Sequence, residues 1–468
     1  MSAKSLKSEV TDMAHIVFIT VGITAGRLNS NYRIAHQLRA RGHCITFVSP
    51  VELAEKQVAA QGFEFVYLSK EGAALQQYEE LKQERTKSGI LWYLDRARNI
   101  ELAKILRDHI LESDEIHEVV RYIRPDLLLI ESELAAHIIA TSKCNIPTLL
   151  LEHHCSTRKA PNVPILSSNL MPNQTAWSSL LIEASWQAVF AKRKLRYALT
   201  RIYHQGNDWL STLKELARRN AFPFEERVDL NQWGYVTFKD IPTLFLSAWE
   251  FDFPHAVENR ERYVGSMVFL ERKEPLADPE YQEVAQILFA KRREVGEEAR
   301  PVVYCAMGSI IADKDYFKRV IDVFVERQDY DLILSTGRTT ASEHFGPTPP
   351  NVHLFNVVPQ LDVLKRADLM LTHGGINTIN ECILLGVPMI VYSGGVMDEN
   401  GNAARVEYHG LGLRGNLGRE SSAQIAQKID RVLGDPQYKA NVQKMQRKYL
   451  AYHNSDKAIH IIEQMLGE

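Results

Sequence analysis

The sequence has few of the features that mark a membrane-spanning, secreted or disulfide-linked protein. Its 468 residues include 5 cysteines, an odd and scattered set without metal-ligand spacing. We interpret them as small buried hydrophobic residues in a reducing compartment. No apolar run approaches the ~20 residues that a spanning helix needs, and residues 1–13 lack the apolar core of a signal peptide. The sequence therefore predicts a cytoplasmic protein.

Positive charge is not in excess either. The 55 lysines and arginines are balanced by 58 aspartates and glutamates, which gives a formal net charge of -3. Such a chain has no overall basic field to hold nucleic acid, so we expect no nucleic-acid partner. The length is enough for two or three domains, each with its own core. No residue pattern specifies an oligomeric state.

Short apolar runs recur along the chain in two series, with helical segments between them. The predicted strands of the first series are residues 15–21, 45–49, 63–68, 126–130 and 148–151, and those of the second are 302–304, 331–335, 352–356, 368–372 and 387–392. Alternating strands and helices of this kind predict an α/β fold with two doubly wound parallel sheets. Ligands of such sheets bind at the carboxyl ends of the strands.

Residues 153–240 interrupt this rhythm. A helical run is predicted over about 175–216, with Trp177, Trp186 and a basic cluster at 192–196. This pattern is compatible with peripheral contact with a membrane surface. We prefer the simpler interpretation, in which the aromatic residues are core and the basic face is solvated.

The most informative stretch is 367–402. A predicted strand runs through His373, Gly374 and Gly375 into a helix that starts near Asn377, and free N–H groups at such a helix start form an anion site. His373, Asn377 and Glu381 are four residues apart and share one helix face. The carboxylate one turn deeper suits a ribose diol. A glycine-rich loop with Asp398, Glu399 and Asn402 follows, where hydroxyls of a sugar could be held.

The order of these residues resembles the nucleotide-sugar signature of the UDP-glycosyltransferase superfamily. The matching pattern runs from Pro359-Gln360 through His373-Gly374-Gly375-x-Asn377-Thr378-x-x-Glu381 and Gly386-Val387-Pro388 to Asp398-Glu399-x-Gly401-Asn402. Within the superfamily, the chain is similar to the GT1-type bacterial enzymes that glycosylate macrolides, carotenoids, sterols and phenols. The resemblance implies a GT-B fold, in which two Rossmann-like domains face each other across a cleft.

The resemblance also implies a domain plan. Residues 1–14 would be a flexible tail, 15–270 an acceptor-binding domain, 271–300 a charged and irregular linker, and 301–450 a nucleotide-sugar-binding domain. Residues 451–468 would form a C-terminal helix that packs back on the first domain.

Roles for individual donor-site residues follow from the same resemblance. His373, Gly375, Asn377 and Thr378 would lie at the diphosphate, together with the tight turn at Gly308 and Ser309. Gln360 would lie near the base and Glu381 would bind the ribose, while Asp398, Glu399 and Asn402 would belong to the sugar site. No acidic pair stands out as a metal site, so we expect no metal and no cofactor: His373 and the helix N-terminus would neutralise the leaving diphosphate, and the UDP-sugar is a co-substrate.

Two departures from the family pattern concern the donor. The tryptophan that often precedes Pro-Gln is replaced by Val357-Val358, so a base must stack elsewhere or more weakly. The usual Asp-Gln pair for glucose hydroxyls is Asp398-Glu399, and a carboxylate lacks the donors of an amide. Glucose from UDP-glucose remains our default expectation.

A third departure concerns the general base. The family histidine after the first strand falls on Arg27, and its aspartate partner falls on Glu131. Arginine stays protonated and cannot accept the proton. Glu131 could be the base, with Arg27 holding it or the acceptor; or the acceptor could be acidic and bound by Arg27; or the chain could bind nucleotide sugar with little turnover. Arg27 and Glu131 could also be a structural ion pair, which would make the carboxylate a poorer base.

If the loop alignment is shifted, another histidine could serve as the base. The candidates are His36, His137, His153 and His154, and for each of them we prefer the interpretation as a helix-surface or core residue.

We therefore expect an inverting, metal-independent glycosyltransferase that transfers a hexose to a small lipophilic or phenolic acceptor. The alternatives are a transferase that uses a dTDP-deoxysugar and a non-catalytic nucleotide-sugar-binding protein that supports a partner enzyme. An epimerase acting on UDP-N-acetylhexosamine is disfavoured by the acceptor-type helices and by the match at 398–402.

Overall fold

The computed structural model describes most of the chain. The described residues are 13–22, 25–83, 95–173, 175–234, 236–272, 274, 279–295, 300–308, 313–337 and 342–467.

The N-terminal half is built on a seven-stranded parallel sheet. Its strands are β1 (His15–Ile19), β2 (Cys44–Ser49), β3 (Glu64–Tyr67), β4 (Leu127–Glu131), β5 (Thr148–Glu152), β8 (Thr243–Phe245) and β9 (Glu261–Tyr263), in the order β3-β2-β1-β4-β5-β8-β9. A short antiparallel pair, β6 (Val228–Asp229) and β7 (Thr237–Phe238), lies outside this sheet. Alternate residues of β1 enter different hydrophobic clusters, Ile16 and Phe18 in one and Val17 and Ile19 in the other. Both faces of the sheet are therefore covered, as a parallel sheet requires.

The described residues of this half also form helices. They are α1 (Ala25–Ala40), α2 (Leu53–Ala60), α3 (Ser69–Gln83), α4 (Arg96–Glu112), α5 (Glu115–Ile123), α6 (Ala135–Thr141), α7 (Ala176–Tyr203), α8 (Trp209–Arg219) and α9 (Phe224–Arg227).

The C-terminal half repeats the plan with a six-stranded parallel sheet. Its strands are β10 (Val302–Ala306), β11 (Asp331–Ser335), β12 (Val352–Phe355), β13 (Leu369–Thr372), β14 (Met389–Val391) and β15 (Gly412–Arg414), in the order β12-β11-β10-β13-β14-β15. Its helices are α10 (Pro279–Val295), α11 (Lys314–Glu326), α12 (Gln360–Leu364), α13 (Ile376–Leu385), α14 (Glu399–Tyr408), α15 (Ser422–Gly434), α16 (Pro436–His453) and α17 (Lys457–Gly467).

The last helix returns to the first domain. Ala458, Ile459 and Ile462 of α17 belong to the same hydrophobic cluster as Ile16 and Phe18. Just before it, the Arg33 guanidinium donates to the backbone carbonyl of His453 at 2.7 Å. The two halves are thus joined both by the chain between the sheets and by this returning segment.

Several element boundaries differ from the sequence-based expectation. Helix α1 begins at Ala25, so Arg27 lies in the first turn of this helix. The predicted helical run over 175–216 is two helices, because Gly206 with a φ of 79° interrupts it. The stretch 271–300, expected to be irregular, contains α10, whose Tyr281, Ala285 and Phe289 are buried in the core of the C-terminal domain.

No helix in the described part of the chain combines the length and the apolar composition needed to cross a bilayer.

A buried ion pair connects the two domains. Both the Nε and an Nη atom of Arg405 on α14 donate to Asp252 Oδ1, at 2.8 and 2.6 Å, and both side chains are almost fully buried. The guanidinium also lies 4.3 Å from the ring centroid of Phe253. A pair of this kind is costly to break, because the remaining partner stays charged and without water.

We predict that Arg405→Met lowers the free energy of unfolding by about 3–5 kcal/mol, since Asp252 would be left buried and unpaired. Urea denaturation of both proteins measures the difference. The matched control is Arg327→Met, because Arg327 pairs with Asp430 near the surface and should cost about 1 kcal/mol or less. Equal losses in the two variants would contradict the prediction.

Candidate functional site

Each sheet has one point where the strand order reverses, and these two points face each other. In the first sheet the reversal lies between β1 and β4, and in the second between β10 and β13. Ligands of open α/β sheets bind at the carboxyl ends of the strands at such points. The two points are close together: Ser30 Oγ lies 3.3 Å from Asn377 Oδ1, and a Cβ atom at Gly26 would lie 2.9 Å from the side-chain nitrogen of Asn377.

His373 occupies the reversal point of the second sheet. Its imidazole lies between two glycines, since a Cβ atom on Gly308 or on Gly375 would come within 2.6 Å of the ring. Gly308 also has a φ of +70°, which other residues rarely adopt. Burial lowers the pKa of His373 to about 4. The ring is therefore neutral at pH 7, so in the ligand-free protein it supplies a hydrogen-bonding group and not the positive charge expected from the sequence.

The start of α13 provides the positive end of this site. Gly375 is the N-cap residue, in an extended conformation and without a side-chain cap, so the first N–H groups of α13 are not satisfied by a cap. The buried Nδ1 of His373 has no hydrogen-bond partner among the described residues. Asn377 and Thr378 lie in the first turn, as predicted. Ser309, the other predicted phosphate contact, lies outside the described residues.

The predicted ribose ligand Glu381 lies one turn deeper and is already engaged. Its Oε1 accepts from Arg272 at 2.6 Å, and its Oε2 accepts from Gln360 Nε2 at 2.6 Å. Gln360 and Glu381 are thus brought together, as a site for base and ribose requires. Arg272 also pairs with Glu274, which accepts from the backbone N–H of Leu361 at 2.9 Å. A carboxylate has about four lone-pair positions, so Glu381 keeps capacity for further hydroxyls.

Of the three residues predicted for the sugar site, Asp398 and Asn402 bond each other, and Glu399 does not join them. Asp398 Oδ2 accepts from the amide of Asn402 at 2.8 Å, and the same amide donates to the Gly374 carbonyl at 3.0 Å. Asn402 therefore ties residues 393–398, called the sugar loop after its predicted role, to the turn at Gly374. Glu399 is the exception: its Oε2 accepts from the N–H of Gly394 at 2.8 Å. Its carboxylate folds onto its own loop, and the residue begins α14 instead of lying in an open loop.

The first sheet contributes acidic residues and two histidines at its reversal point. One of our interpretations paired Arg27 with Glu131. The structure shows a different partner. Arg27 binds Glu133 through both Nη atoms, with one of these contacts at 3.0 Å. Glu131 is fully buried and accepts from the N–H of Val21 at 2.9 Å and from Asn31 at 3.0 Å.

These contacts make Glu131 a weak base. Burial alone would raise the pKa of Glu131. This effect is outweighed by His153, by the N–H of Val21 and by Arg27, so that the pKa is lowered from its ordinary value. A carboxylate that is held by two hydrogen bonds and has a lowered pKa accepts a proton poorly.

His153 is the side chain next to Glu131. It directly follows β5, and its Nε2 lies 3.6 Å from Glu131 Oε1. The side chain is buried, and neither Nδ1 nor Nε2 has a hydrogen-bond partner in the described structure, so Nε2 faces the carboxylate without bonding it. A buried imidazole with a carboxylate at one nitrogen and no partner at the other has the arrangement of an oriented general base.

The neighbouring His154 has a different environment. Its Nδ1 bonds Glu152 at 2.9 Å, and its Nε2 lies 3.7 Å from Glu133. Burial would lower the pKa of His154, but Asp398 across the cleft and the two glutamates raise it to about 9. His154 is therefore a cation at neutral pH, opposite the sugar loop.

The two remaining histidine candidates do not lie at this point. His36 packs edge-on to Phe63 and bonds Gln61 at 3.4 Å. His137 on α6 bonds Glu71 at 2.9 Å. Both have structural partners, in agreement with our preferred interpretation of them.

A cavity of about 670 Å³ opens beside this cluster, between helices of the first domain and the sugar loop. Its lining combines apolar and basic side chains, among them Leu102, Leu106, Val189, Lys192, Arg196 and Met397. A smaller hollow that contains Glu133 and His154 shares Trp233, Val236 and Met397 with it. A bound molecule could therefore extend from the large cavity to His154.

Within the part of the chain that the structure describes, no group of three or more His, Cys, Asp or Glu side chains is arranged to hold a metal ion.

Comparisons with known proteins give a consistent result. Residues 319–465 match the family model described as "Erythromycin biosynthesis protein CIII-like, C-terminal domain". NDP-glycosyltransferase YjiC of Bacillus licheniformis is 29% identical over 174 residues, which is 37% of this chain and 43% of that relative. NDP-glycosyltransferase YjiC of Bacillus subtilis is 21% identical across 97% of both chains. Demethyllactenocin mycarosyltransferase of Streptomyces fradiae is 24% identical across 97% of this chain and 87% of that enzyme.

Solved structures agree on the fold. The glycotransferase of kitacinnamycin aligns with a TM-score of 0.65 at 19% identity, covering 97% of this chain and 99% of that chain. The calicheamicin glycosyltransferase CalG4 aligns with a TM-score of 0.64 at 19% identity, with coverage of 97% and 98%. At these identities the likeness speaks for the fold alone.

These relatives support the GT1-type UDP-glycosyltransferase superfamily that the signature indicated, and the GT-B fold predicted from the signature is confirmed. The prediction that it is an enzyme of the glycosyltransferase class is confirmed as well.

Sequence reasoning did not identify three residues: Arg272 and Glu274, which lie beside Glu381, and Glu133, which binds Arg27. Arg272 and Glu274 lie in a stretch that was interpreted as a linker, where no local pattern indicates a site. Glu133 had a signal, because Glu131-Ser132-Glu133 places a second acid just beyond the same strand.

The raised pKa of His154 predicts a pH-dependent stability. Because the folded-state pKa is about 9 and the ordinary value is 6.5, the stabilisation is complete below about pH 6.5 and is lost as the pH rises towards 9. The contribution amounts to about 3 kcal/mol at most. The free energy of unfolding of wild type and His154→Gln, measured with urea at pH 6.5 and pH 9, should differ most at the lower pH. His36→Gln is the control, and a difference that does not change with pH would refute the assignment.

Proposed function

We propose that the protein is an inverting, metal-independent glycosyltransferase that transfers a hexose, with glucose from UDP-glucose as the default donor, to a small lipophilic or phenolic acceptor. One observation carries the proposal. The N-terminus of α13 has no side-chain cap, and His373 beside it is enclosed by two glycines. Both lie across one cleft from the buried side chains of His153 and Glu131. This arrangement supports a reaction in which an anion site and a base site lie on opposite sides of one reacting centre.

The donor would bind along the C-terminal domain. The start of α13 and the unpartnered Nδ1 of His373 suit a diphosphate, and Glu381 with Gln360 suits the nucleoside. Developing negative charge on the leaving diphosphate would be stabilised by the N–H groups and the positive end of α13, which supports a reaction without metal.

We assign the general base to His153 and not to Glu131. Glu131 would accept a hydrogen bond from Nε2–H of His153, which leaves Nδ1 as the acceptor. In the transfer, the acceptor hydroxyl oxygen attacks the anomeric carbon, its proton moves to Nδ1 of His153, and the bond between the anomeric carbon and the diphosphate oxygen breaks. Attack opposite to the leaving group inverts the configuration.

Arg27, Glu133 and His154 would then set the electrostatics of the attack. His154, charged and opposite Asp398, is well placed to hold hydroxyl oxygens of the sugar between the domains. Arg27 is committed to Glu133 and is partly exposed, so it would orient the acceptor or that carboxylate and would take no proton.

A transferase for a dTDP-deoxysugar is the second candidate. The observation that favours it is the inward turn of Glu399, which removes one expected hydroxyl contact from the sugar site. A solved glycosyltransferase with the same fold, VinC, binds dTDP. A non-catalytic nucleotide-sugar-binding protein is the remaining alternative, and measured turnover distinguishes it from both.

Donor binding tests the proposal directly. We predict that UDP binds more tightly than dTDP or GDP in calorimetric titration, and that Glu381→Gln weakens UDP binding about 10- to 100-fold, since charged hydrogen bonds to the ribose are lost. The control Glu407→Gln changes an acid of the same domain that pairs with Arg414. Preferential dTDP binding would favour the second candidate, and absence of nucleotide binding would overturn both.

The base assignment predicts a second result. His153→Gln should lower turnover about 10²- to 10⁴-fold on a panel of phenols and hydroxylated lipophiles, with UDP affinity unchanged, because only proton transfer is lost. Glu131→Gln should lower turnover less and move the acidic limb of the pH profile. The reverse ranking, with full activity in His153→Gln, would identify Glu131 or an acidic acceptor instead. His36→Gln is the matched histidine control.

A further inference from the structure

Helix α7 exposes an unusual amount of apolar surface. Six large apolar side chains on this one helix are more than half exposed: Trp177, Leu180, Leu181, Leu195, Leu199 and Ile202. Trp209, at the start of the next helix, is exposed too. Single exposed apolar residues are ordinary, but a contiguous group of them marks an interaction surface.

The exposed residues follow a helical period along the whole of α7. Trp177, Leu181, Ala184, Ala188, Ala191, Leu195, Ala198 and Ile202 are spaced alternately four and three residues apart, and all are exposed. They form one straight face, the apolar stripe, about 38 Å long at 1.5 Å per residue. The buried residues Ser178, Ile182, Trp186 and Arg193 lie on the opposite side. The stripe is therefore not needed for packing α7 onto the described part of the protein.

Basic residues border the apolar stripe. Lys194 and Arg201 lie on one edge and Lys192 and Arg196 on the other, all exposed, while Glu183 is the one acidic residue of α7 and pairs with Lys159. An apolar helix face with cations on both edges and tryptophan at its end suits the interface of an anionic bilayer, where the helix lies flat.

A second copy of the chain fits this face less well. In a parallel pair of α7 helices, the four cations of one copy would face the four cations of the other. In an antiparallel pair, they would face the N-terminal half of the other helix, whose one acid, Glu183, is already paired. Neither arrangement is complementary in charge, whereas acidic lipid headgroups complement both edges.

The stripe adjoins the large cavity. Val189, Lys192, Arg196 and Thr200 of the same helix line that cavity, and Lys192 and Arg196 lie on the boundary between it and the stripe. A helix resting on a bilayer would hold the cavity at the level of the headgroups.

We propose that α7 docks in the plane of an anionic lipid surface through its apolar stripe and bordering cations, and that the adjoining cavity takes its acceptor from that surface. The acceptor would be an amphipathic lipid with a hydroxyl group near its polar end. The docking stands on the helix alone, whereas the acceptor class rests on the proposed function.

Vesicle flotation tests the docking. Wild type should bind vesicles of phosphatidylcholine with phosphatidylglycerol, bind pure phosphatidylcholine weakly, and dissociate at high salt. Leu195→Gln/Leu199→Gln should lower partitioning on the order of tenfold or more. Lys194→Gln/Arg201→Gln should lower binding to the anionic vesicles by about fivefold per cation. None of these four residues lines the cavity.

The control is Leu53→Gln, an equally exposed leucine on α2, which should bind like wild type. No vesicle binding by wild type, or unchanged binding by the leucine double variant, would overturn the proposal. A second result would also overturn it: light scattering shows a wild-type dimer that does not bind vesicles, and the leucine double variant is a monomer. The stripe would then be a contact between subunits. A UDP titration on the wild type and on each variant distinguishes the two proposals. If the wild type does not bind UDP, the transferase proposal fails, and the docking result is unaffected.

Discussion

The buried pair of Arg405 and Asp252 fixes how the two domains meet, and the candidate site depends on it. Arg405 lies on α14, the helix that begins beside Asp398, while Asp252 also accepts from the backbone N–H of Ser156 at 2.8 Å. Ser156 lies three residues after His153. A single desolvated carboxylate thus holds the segment that carries the two histidines against the helix that carries the sugar loop. A buried pair gives little net stability but penalises any arrangement that separates its partners, so it specifies the relative position of the two halves of the site.

Within that frame, the surroundings assign opposite charge states to two histidines, His373 and His154. His373 lies between Gly308 and Gly375, and desolvation lowers its pKa to about 4, so it is neutral. His154 is buried too but faces three carboxylates, which raise its pKa to about 9, so it stays charged. His153 has one carboxylate at one nitrogen only. The proposed roles of these histidines, as a hydrogen-bonding group for phosphate, a cation for hydroxyls and a base, therefore rest on how each one is buried and on which carboxylates lie near it.

The sequence predicts those features that rest on local pattern. The βαβ rhythm, the turn at His373 and the helix face shared with Glu381 are local, and the structure has them where they were expected. Features that depend on contacts across the fold were not predictable. The partner of Arg27 depends on how the side chains of Glu131 and Glu133 are oriented at the end of β4. Arg272 bonds Glu381 although the two are more than one hundred residues apart in the sequence. The inward turn of Glu399 depends on free N–H groups of its own loop, which the motif does not reveal.

Arg27, which the resemblance aligns with the usual histidine, restricts where a base can lie. An arginine in the first turn of α1 places a permanent cation beside the unfavourable positive end of that helix, and it persists because Glu133 pairs with it. A protonated histidine at that end of the sheet would be repelled by the same cation. His153, which follows β5, lies on the far side of Glu131 from β1, and the buried carboxylate separates it from Arg27. Glu131, held by Val21 and Asn31 on one side and facing His153 on the other, can stabilise the imidazolium that forms when the base takes its proton. Arginine at the usual position is therefore compatible with catalysis, provided that the base has moved along the sheet edge from β1 to β5, two strands away.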